Sequence, residues 1–392
     1  FRARLAIATA TITAAVGLIL LFSPNFQPTD LRSSPLGSDF LQEWTGGYMW
    51  LSGDGSQLYD ASCYRSVQHD AGITGFVWPE EKYYPMVYPP FYYVLVSPLA
   101  RLNYQHALTV WLVILGLIAT STVLCFTQFF EPARKHWAKC LLALLAFFPF
   151  LLSLNMAQKS ILLLLILCLT YLLLFHQRKF AAGAVFGLIA FKPHLGLFIG
   201  LVMLLKGQWR FVAGAASTVS LLLGLSLVAG PDACRDYFWQ CLSMGDYSQN
   251  GGYQLYDAQN LAGSIELMLG GRSPSSWLIW LLTTALVLAM SLVAVPGPFN
   301  FQSRRFSLQY SSLVVATVLL SPHFYTYDLT ILLLPLALVA LAAVPASQSN
   351  WSTDSLPISI RQRRWLWALG SAIFVGSGLV TGVAKNYQIQ PM

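Results

Sequence analysis

The sequence predicts an all-α integral membrane protein, a polytopic helical bundle forming one domain over residues 1–392. Composition is the first reason: 56% of the residues are hydrophobic and 10% are charged, against about 25% charged in soluble domains. Apolar runs also recur along the whole chain rather than in one anchor, as a multispan protein requires. The third reason is the placement of the basic residues, taken up after the segments.

About eleven membrane segments, a few of them short or broken, are expected, at 5–22, 105–130, 139–153, 159–176, 180–191, 194–206, 211–229, 275–295, 307–320, 328–345 and 365–384. Arg2 and Arg4 precede the first, and no small-x-small cleavage site follows it, so it reads as an uncleaved first span. The stretch Phe91 to Leu102 is apolar but short and flanked by prolines, so it is expected to be re-entrant or interfacial.

With the N-terminus cytoplasmic, one face collects Arg2, Arg4, Arg134, Lys135, Lys139, Arg178, Lys179, Lys206, Arg210, Arg304, Arg305, Arg361, Arg363 and Arg364. That is fourteen of the 23 Lys and Arg residues, concentrated in short loops, as the positive-inside rule asks. The net charge of +7 therefore reports topology, and it leaves no footprint for a nucleic-acid partner.

The opposite face carries the long and chemically distinctive loops, expected to form the working surface at 23–104 and 230–274. Gly37-Ser38-Asp39-Phe40-Leu41-Gln42-Glu43-Trp44 reads as a helix start that Ser38 or Asp39 can cap, with Phe40, Leu41 and Trp44 as its buried stripe. Asp39, Gln42 and Glu43 lie three and four residues apart and share a face. Further along come Gly53-Asp54-Gly55 as a turn, Leu58-Tyr59-Asp60 before a second helix, and Tyr88-Pro89-Pro90. Short polar interruptions follow at Asn155 and Gln158, at Phe191-Lys192-Pro193-His194 and at Ser321 to Asp328, while the second long loop contains Tyr256 to Asn260.

A lysine beside a proline break, as at Lys192, is costly within an apolar region and calls for a partner or an anionic ligand. The competing reading is a lysine that snorkels to headgroups. His323 has the alternative of an interfacial histidine satisfied by a carbonyl, and Tyr88, Tyr325 and Tyr327 that of an aromatic belt. Asn155 and Gln158 have the alternative of satisfying backbone groups freed at a helix break.

One reaction uses the whole set. Moving a sugar from a lipid phosphate needs a base for the acceptor hydroxyl, which a carboxylate supplies. The phosphate departs without protonation by a second carboxylic acid and needs positive charge and hydrogen-bond donors instead, unlike the paired carboxylates of glycosidases. Asp39 with Lys192 and His323 fits that pattern, with Glu43 the next candidate base. The chain has no HExxH, Walker loop, G-x-S-x-G or CxxC pair, and the outer acids lack the spacing of a metal motif.

The ordered set Gly37-Ser38-Asp39-Phe40, Leu58-Tyr59-Asp60, Tyr88-Pro89-Pro90, Asn155-Met156-Ala157-Gln158, Lys192-Pro193 and Ser321-Pro322-His323 resembles glycosyltransferase family 87. The resemblance implies a GT-C type membrane enzyme that uses polyprenyl-phosphate sugars, commonly the mannose donor, with arabinofuranose also within the family's range. It implies Asp39 as the base of an inverting transfer and Lys192 and His323 at the donor phosphate. Gln42, Glu43, Tyr59, Tyr88, Asn155, Gln158, His194, Asn260 and Tyr327 are the further candidates for substrate contact. The expected partners are the lipid-phosphate donor, a lipid or glycan acceptor and the surrounding lipids. No cofactor or metal is expected, and the site is placed on the outer side of the cell membrane.

The alternative reading is a transporter or flippase of a lipid-linked sugar. Such proteins bind near the bilayer midplane between internal repeats, whereas these polar residues gather at one surface and no repeat is visible. Of the six cysteines, Cys125, Cys140 and Cys168 fall in apolar runs. Cys234 and Cys241, if on one helix, are about 10 Å apart by helical rise and too far for a bridge.

Overall fold

The computed structural model describes residues 37–77, 80, 83–129, 134–135, 137–247, 255–343, 368, 371–372 and 376. The expected span 5–22, most of the expected span 365–384, and the polar loop from Ala346 to Pro357 lie outside them. Every regular element among the described residues is helical, and the pairing of Ala258 with Tyr325 is an isolated antiparallel bridge.

Each expected apolar segment from 105 to 345 finds a helix, but the lengths differ. Tyr104–Gln128, Trp209–Ala229 and Pro274–Ala294 are long and apolar enough to cross a membrane. The expected segment 139–153 is two helices, Trp137–Ala146 and Phe148–Asn155, bent by 68°. Pro149 stands at the start of the second, where the missing N–H costs nothing. Ser160–Phe175, Lys179–Phe191, His194–Leu205 and Thr326–Ala342 are apolar but shorter. Nine of the eleven expected segments fall among the described residues, and there three helices meet the length of a full crossing, or up to four with the bent pair taken as one. The limit for the shorter helices is geometric: at 1.5 Å per residue a helix of roughly 12–17 residues covers about 18–26 Å of a roughly 30 Å hydrocarbon layer.

The residues fall into two compact units. The first contains the described parts of 37–120, 153–159 and 219–254. Its centre is the helix Ser38–Leu51, whose apolar stripe Phe40, Leu41 and Trp44 is buried. The Phe40 ring stacks on Trp111 at 5.6 Å, and Trp44 Nε1 donates to the Leu102 carbonyl at 3.1 Å. Gly46 lets the helix press on Pro90–Val96, because a Cβ there would run into the Tyr93 ring and Met86. The Phe91–Leu102 stretch is the short helix Pro90–Val96 with a 3₁₀ turn at Leu99–Arg101. Asp60 caps Ala61–His69 by accepting from the Ser62 and Cys63 N–H groups, and these bonds hold the exposed carboxyl down at about 2. The run Tyr83–Val87, which belongs to no regular element, is fixed by glutamines from three helices. Gln42 donates to the Pro85 carbonyl, Gln240 to that of Met86, and Gln68 bonds both main-chain groups of Tyr84.

The second unit contains the described parts of 121–152, 160–218 and 255–392. Lys179–Gly187 lies close against Trp209–Ser226, since a Cβ on Gly183 would strike the Phe211 carbonyl and one on Gly214 the Phe180 carbonyl. Gly183 and Gly187 are four apart, as are Gly214 and Thr218, and the Thr218 hydroxyl donates to the Ala184 carbonyl at 2.8 Å. Small residues spaced this way let membrane helices associate through backbone contact. The Tyr171 ring stacks on Phe306 at 5.9 Å, and its hydroxyl meets Ser307 at 2.8 Å. Cys234 and Cys241 share the helix Pro231–Tyr247, and all six cysteines are free thiols.

The helix contact at Gly183 yields a direct expectation. Gly183→Leu should force Lys179–Gly187 and Trp209–Ser226 apart at a cost of at least about 1–3 kcal/mol, read as a lowered Tm of the detergent-solubilised protein. A Tm equal to that of the parent would show that this contact does not hold the two helices.

Candidate functional site

In the first unit the polar face of Ser38–Leu51 is turned inward. The helix is preceded by Gly37 in a left-handed conformation, φ 65°, with no side-chain cap, so neither Ser38 nor Asp39 is the N-cap expected from sequence. Asp39 lies in the first turn and is 8% exposed, with Gln42 and Glu43 buried beside it. The Gln158 amide donates to Asp39 Oδ2. One turn on, Lys159 Nζ donates to Glu43 Oε1, and the Tyr92 hydroxyl donates to Glu43 Oε2. The Lys159 ammonium also lies over the Tyr88 ring at 3.5 Å and the Tyr92 ring at 4.5 Å.

Glu43 and Lys159 are both fully buried. Their mutual charge, the Tyr92 hydrogen bond and two ring faces replace the water each has lost. This engages Glu43, the second candidate base, in a buried ion pair. The Tyr59 hydroxyl donates to the Tyr88 carbonyl at 2.7 Å, which fixes the main chain ahead of the Pro89-Pro90 corner. Asn155 ends the helix Phe148–Asn155.

In the second unit Lys192 follows a 3₁₀ turn and Pro193 opens the helix His194–Leu205, so the proline break is real. Lys192 Nζ bonds Asp328 Oδ1 at 2.8 Å, and both side chains are nearly enclosed. The Ser160 hydroxyl donates to the same oxygen at 2.5 Å. The ring of Tyr327 lies 5.3 Å from the ammonium. Lys192 thus has the partner its position demands, and it comes from the protein.

His323 stands in the connection before Thr326–Leu332. Its ring meets Tyr325 edge-on at 4.6 Å and His194 at 6.3 Å. Burial, then the Lys192 charge, pulls its imidazole down to about 4. At neutral pH it is therefore an uncharged ring able to donate one hydrogen bond and accept another. His194 opens its helix, and its buried Nε2 has no hydrogen-bond partner among the described residues. Asn260 caps Leu261–Met268 by accepting from the Gly263 N–H and donates to the Ser321 carbonyl at 2.8 Å, so both ends of its amide are engaged.

Sequence reasoning left Lys159, Tyr92, Ser160 and Asp328 without roles. Lys159 and Ser160 stand at the edge of an apolar run and read as its flank, although a lysine directly after Gln158 in an outer-face cluster was a usable signal. Asp328 was visible inside the Ser321–Asp328 cluster, but nothing in the spacing pairs it with a lysine 136 residues away. Among the described residues no group of three or more His, Cys, Asp and Glu side chains could hold a metal ion.

Fold and clusters define an all-helical membrane protein with lysine–carboxylate pairs built into its interior. The chain belongs to glycosyltransferase family 87, whose family model matches residues 86–322, and it is accordingly a membrane glycosyltransferase. The matched stretch includes Tyr88, Asn155, Gln158, Lys159, Lys192, His194 and Asn260. It begins after Asp39, Gln42, Glu43 and Tyr59 and ends one residue before His323, with Tyr327 also beyond it. Comparisons with curated proteins and with solved structures gave no match.

The buried pair makes a measurable prediction. Lys159→Met or Glu43→Leu alone should destabilise the protein by about 3–5 kcal/mol, because each strands an opposite charge in the interior. The double variant should recover much of that loss. Additive losses in thermal or denaturant unfolding would mean that the two side chains do not act as a pair.

Proposed function

We propose that the protein transfers a sugar, most simply mannose, from a polyprenyl-phosphate donor to a lipid or glycan acceptor on the non-cytoplasmic face of the cell membrane, with inversion. The observation that carries the reading is Asp39, a carboxylate buried in a helix and held by the Gln158 amide within a family 87 chain. Asp39 takes the acceptor hydroxyl proton as the acceptor oxygen bonds to the anomeric carbon. The bond from that carbon to the phosphate oxygen breaks, and polyprenyl phosphate leaves with the electron pair.

Lys192 supplies positive charge to the departing phosphate and His323 a neutral N–H donor. Asp328 already neutralises Lys192, so a bound phosphate would share the ammonium with it rather than meet an isolated cation. The reaction needs no metal in this scheme, because the lysine and hydrogen-bond donors take that part.

The decisive experiment incubates purified protein with a lipid extract and labelled polyprenyl-phosphate-mannose and looks for a product heavier than an acceptor by one hexose. Asp39→Asn should lower turnover by ~10²–10⁴ while leaving donor binding nearly intact, as loss of a group that acts in the transition state does. Lys192→Ala should weaken donor binding as well as slow transfer, and Lys192→Arg should restore part of both. Near-normal turnover in Asp39→Asn would remove the base assignment, and unchanged donor binding in Lys192→Ala would remove the phosphate contact.

Activity should persist in EDTA. Turnover lost on chelation and restored by Mg²⁺ or Mn²⁺ would turn Asp39 from base into metal ligand.

A further inference from the structure

The helix Phe148–Asn155 does not simply end; it closes in a tight left-handed turn. The Ala157 N–H bonds the Leu154 carbonyl at 3.1 Å and the Gln158 N–H bonds the Ser153 carbonyl at 2.7 Å, the pairing of a Schellman motif. Ala157 has φ 55°, in the region where glycine is the usual occupant of this position. A side chain there is tolerated only where surrounding contacts over-determine it, and they do. Ala157 is fully buried, and its carbonyl accepts from Trp111 Nε1 at 2.8 Å. Its methyl group faces Gly37, where an added Cβ would stand 3.4 Å from it and 2.5 Å from Leu108.

The turn therefore meets the very start of the Asp39 helix, and its next two residues grip that helix. Gln158 donates to Asp39 and Lys159 to Glu43. Asp39 and Glu43 are four residues apart and lie on one face. Two consecutive side chains of the turn thus hold two consecutive turns of the helix. The Gln158 amide is itself oriented, because its Oε1 accepts from the Lys159 N–H at 3.2 Å and this turns the NH₂ group toward the carboxylate.

We propose that the Asn155–Lys159 turn is the positioning device for Asp39, with Gln158 aiming the carboxylate and favouring its charged form. The inference rests on the base reading of Asp39 and gives Gln158 a role other than substrate contact. A donor held against a carboxylate stabilises the anion over the acid, so its removal raises the pH at which Asp39 takes up a proton. Lys159 anchors the same turn through Glu43, which keeps Gln158 in register.

The test uses the full chain in detergent with Gln158→Leu, which removes the donor, and Gln158→Glu, which keeps the size but sets a second carboxylate against the first. Thermal unfolding first checks that each is folded, and the near-isosteric Gln158→Glu carries the test where Gln158→Leu fails to fold. Turnover with polyprenyl-phosphate-mannose should fall roughly tenfold to a hundredfold in Gln158→Leu, with donor KM within about threefold. The acid limb of the pH–rate profile should move up by about one pH unit, and further in Gln158→Glu, where two carboxylates share a proton. Without substrate, the carboxylate infrared band absent from Asp39→Asn should titrate at correspondingly higher pH in both variants. An unmoved limb and an unmoved band, with Asp39→Asn inactive, overturn the inference and leave the base reading standing. Normal turnover in Asp39→Asn overturns the base reading and the inference with it.

Discussion

Lys159 has no route to water: its ammonium and the Glu43 carboxylate are enclosed completely, and neither charge survives there without the other. Removing an ion from water costs several kcal/mol even after relaxation, and only close, well-directed contacts restore it. Much of the first unit serves that condition. Tyr88 and Tyr92 bring their ring faces to the ammonium, and the Tyr92 hydroxyl takes the second carboxylate oxygen. Tyr59 fixes the Tyr88 main chain, and the glutamines on Tyr84, Pro85 and Met86 hold the run that leads into it. The Asp39 carboxylate, one turn earlier on the same helix, is located by the residue beside this lysine.

The second unit meets the same constraint with different parts. Pro193 forces a break beside Lys192, and Asp328 at the start of a 3₁₀ helix supplies the opposite charge, with Ser160 on the same oxygen. The pair is neutral as a whole, and His323 adds no charge to it at neutral pH. Any anion binding at this cluster therefore acts on a lysine already committed to a carboxylate. That favours exchange of hydrogen bonds over simple attraction.

Composition and periodicity determined a good deal. The few charges and recurring apolar runs establish a helical membrane protein, and the three- and four-residue spacing puts Asp39, Gln42 and Glu43 on one face. Pro193 next to Lys192 requires both a break and a partner. The order of the short motifs carries the family, which the match over residues 86–322 establishes. These features are local, written within a few residues by helix geometry and by the cost of an unpaired charge in an apolar setting.

Tertiary structure alone decided which side chains meet. Gln158 reaches Asp39 across 119 residues and Lys159 reaches Glu43 across 116, and no periodicity links positions so far apart. It showed that Gly37, rather than Ser38 or Asp39, precedes the helix, and that Ala157 takes a conformation its own side chain disfavours because Trp111 and Gly37 enclose it. It also bent the apparent span 139–153 into two helices, since an apolar run read along the chain does not reveal where a helix bends. The sequence names the residues that need a partner, because burial and charge are properties of each residue; the partner is chosen by packing, which belongs to the folded chain as a whole.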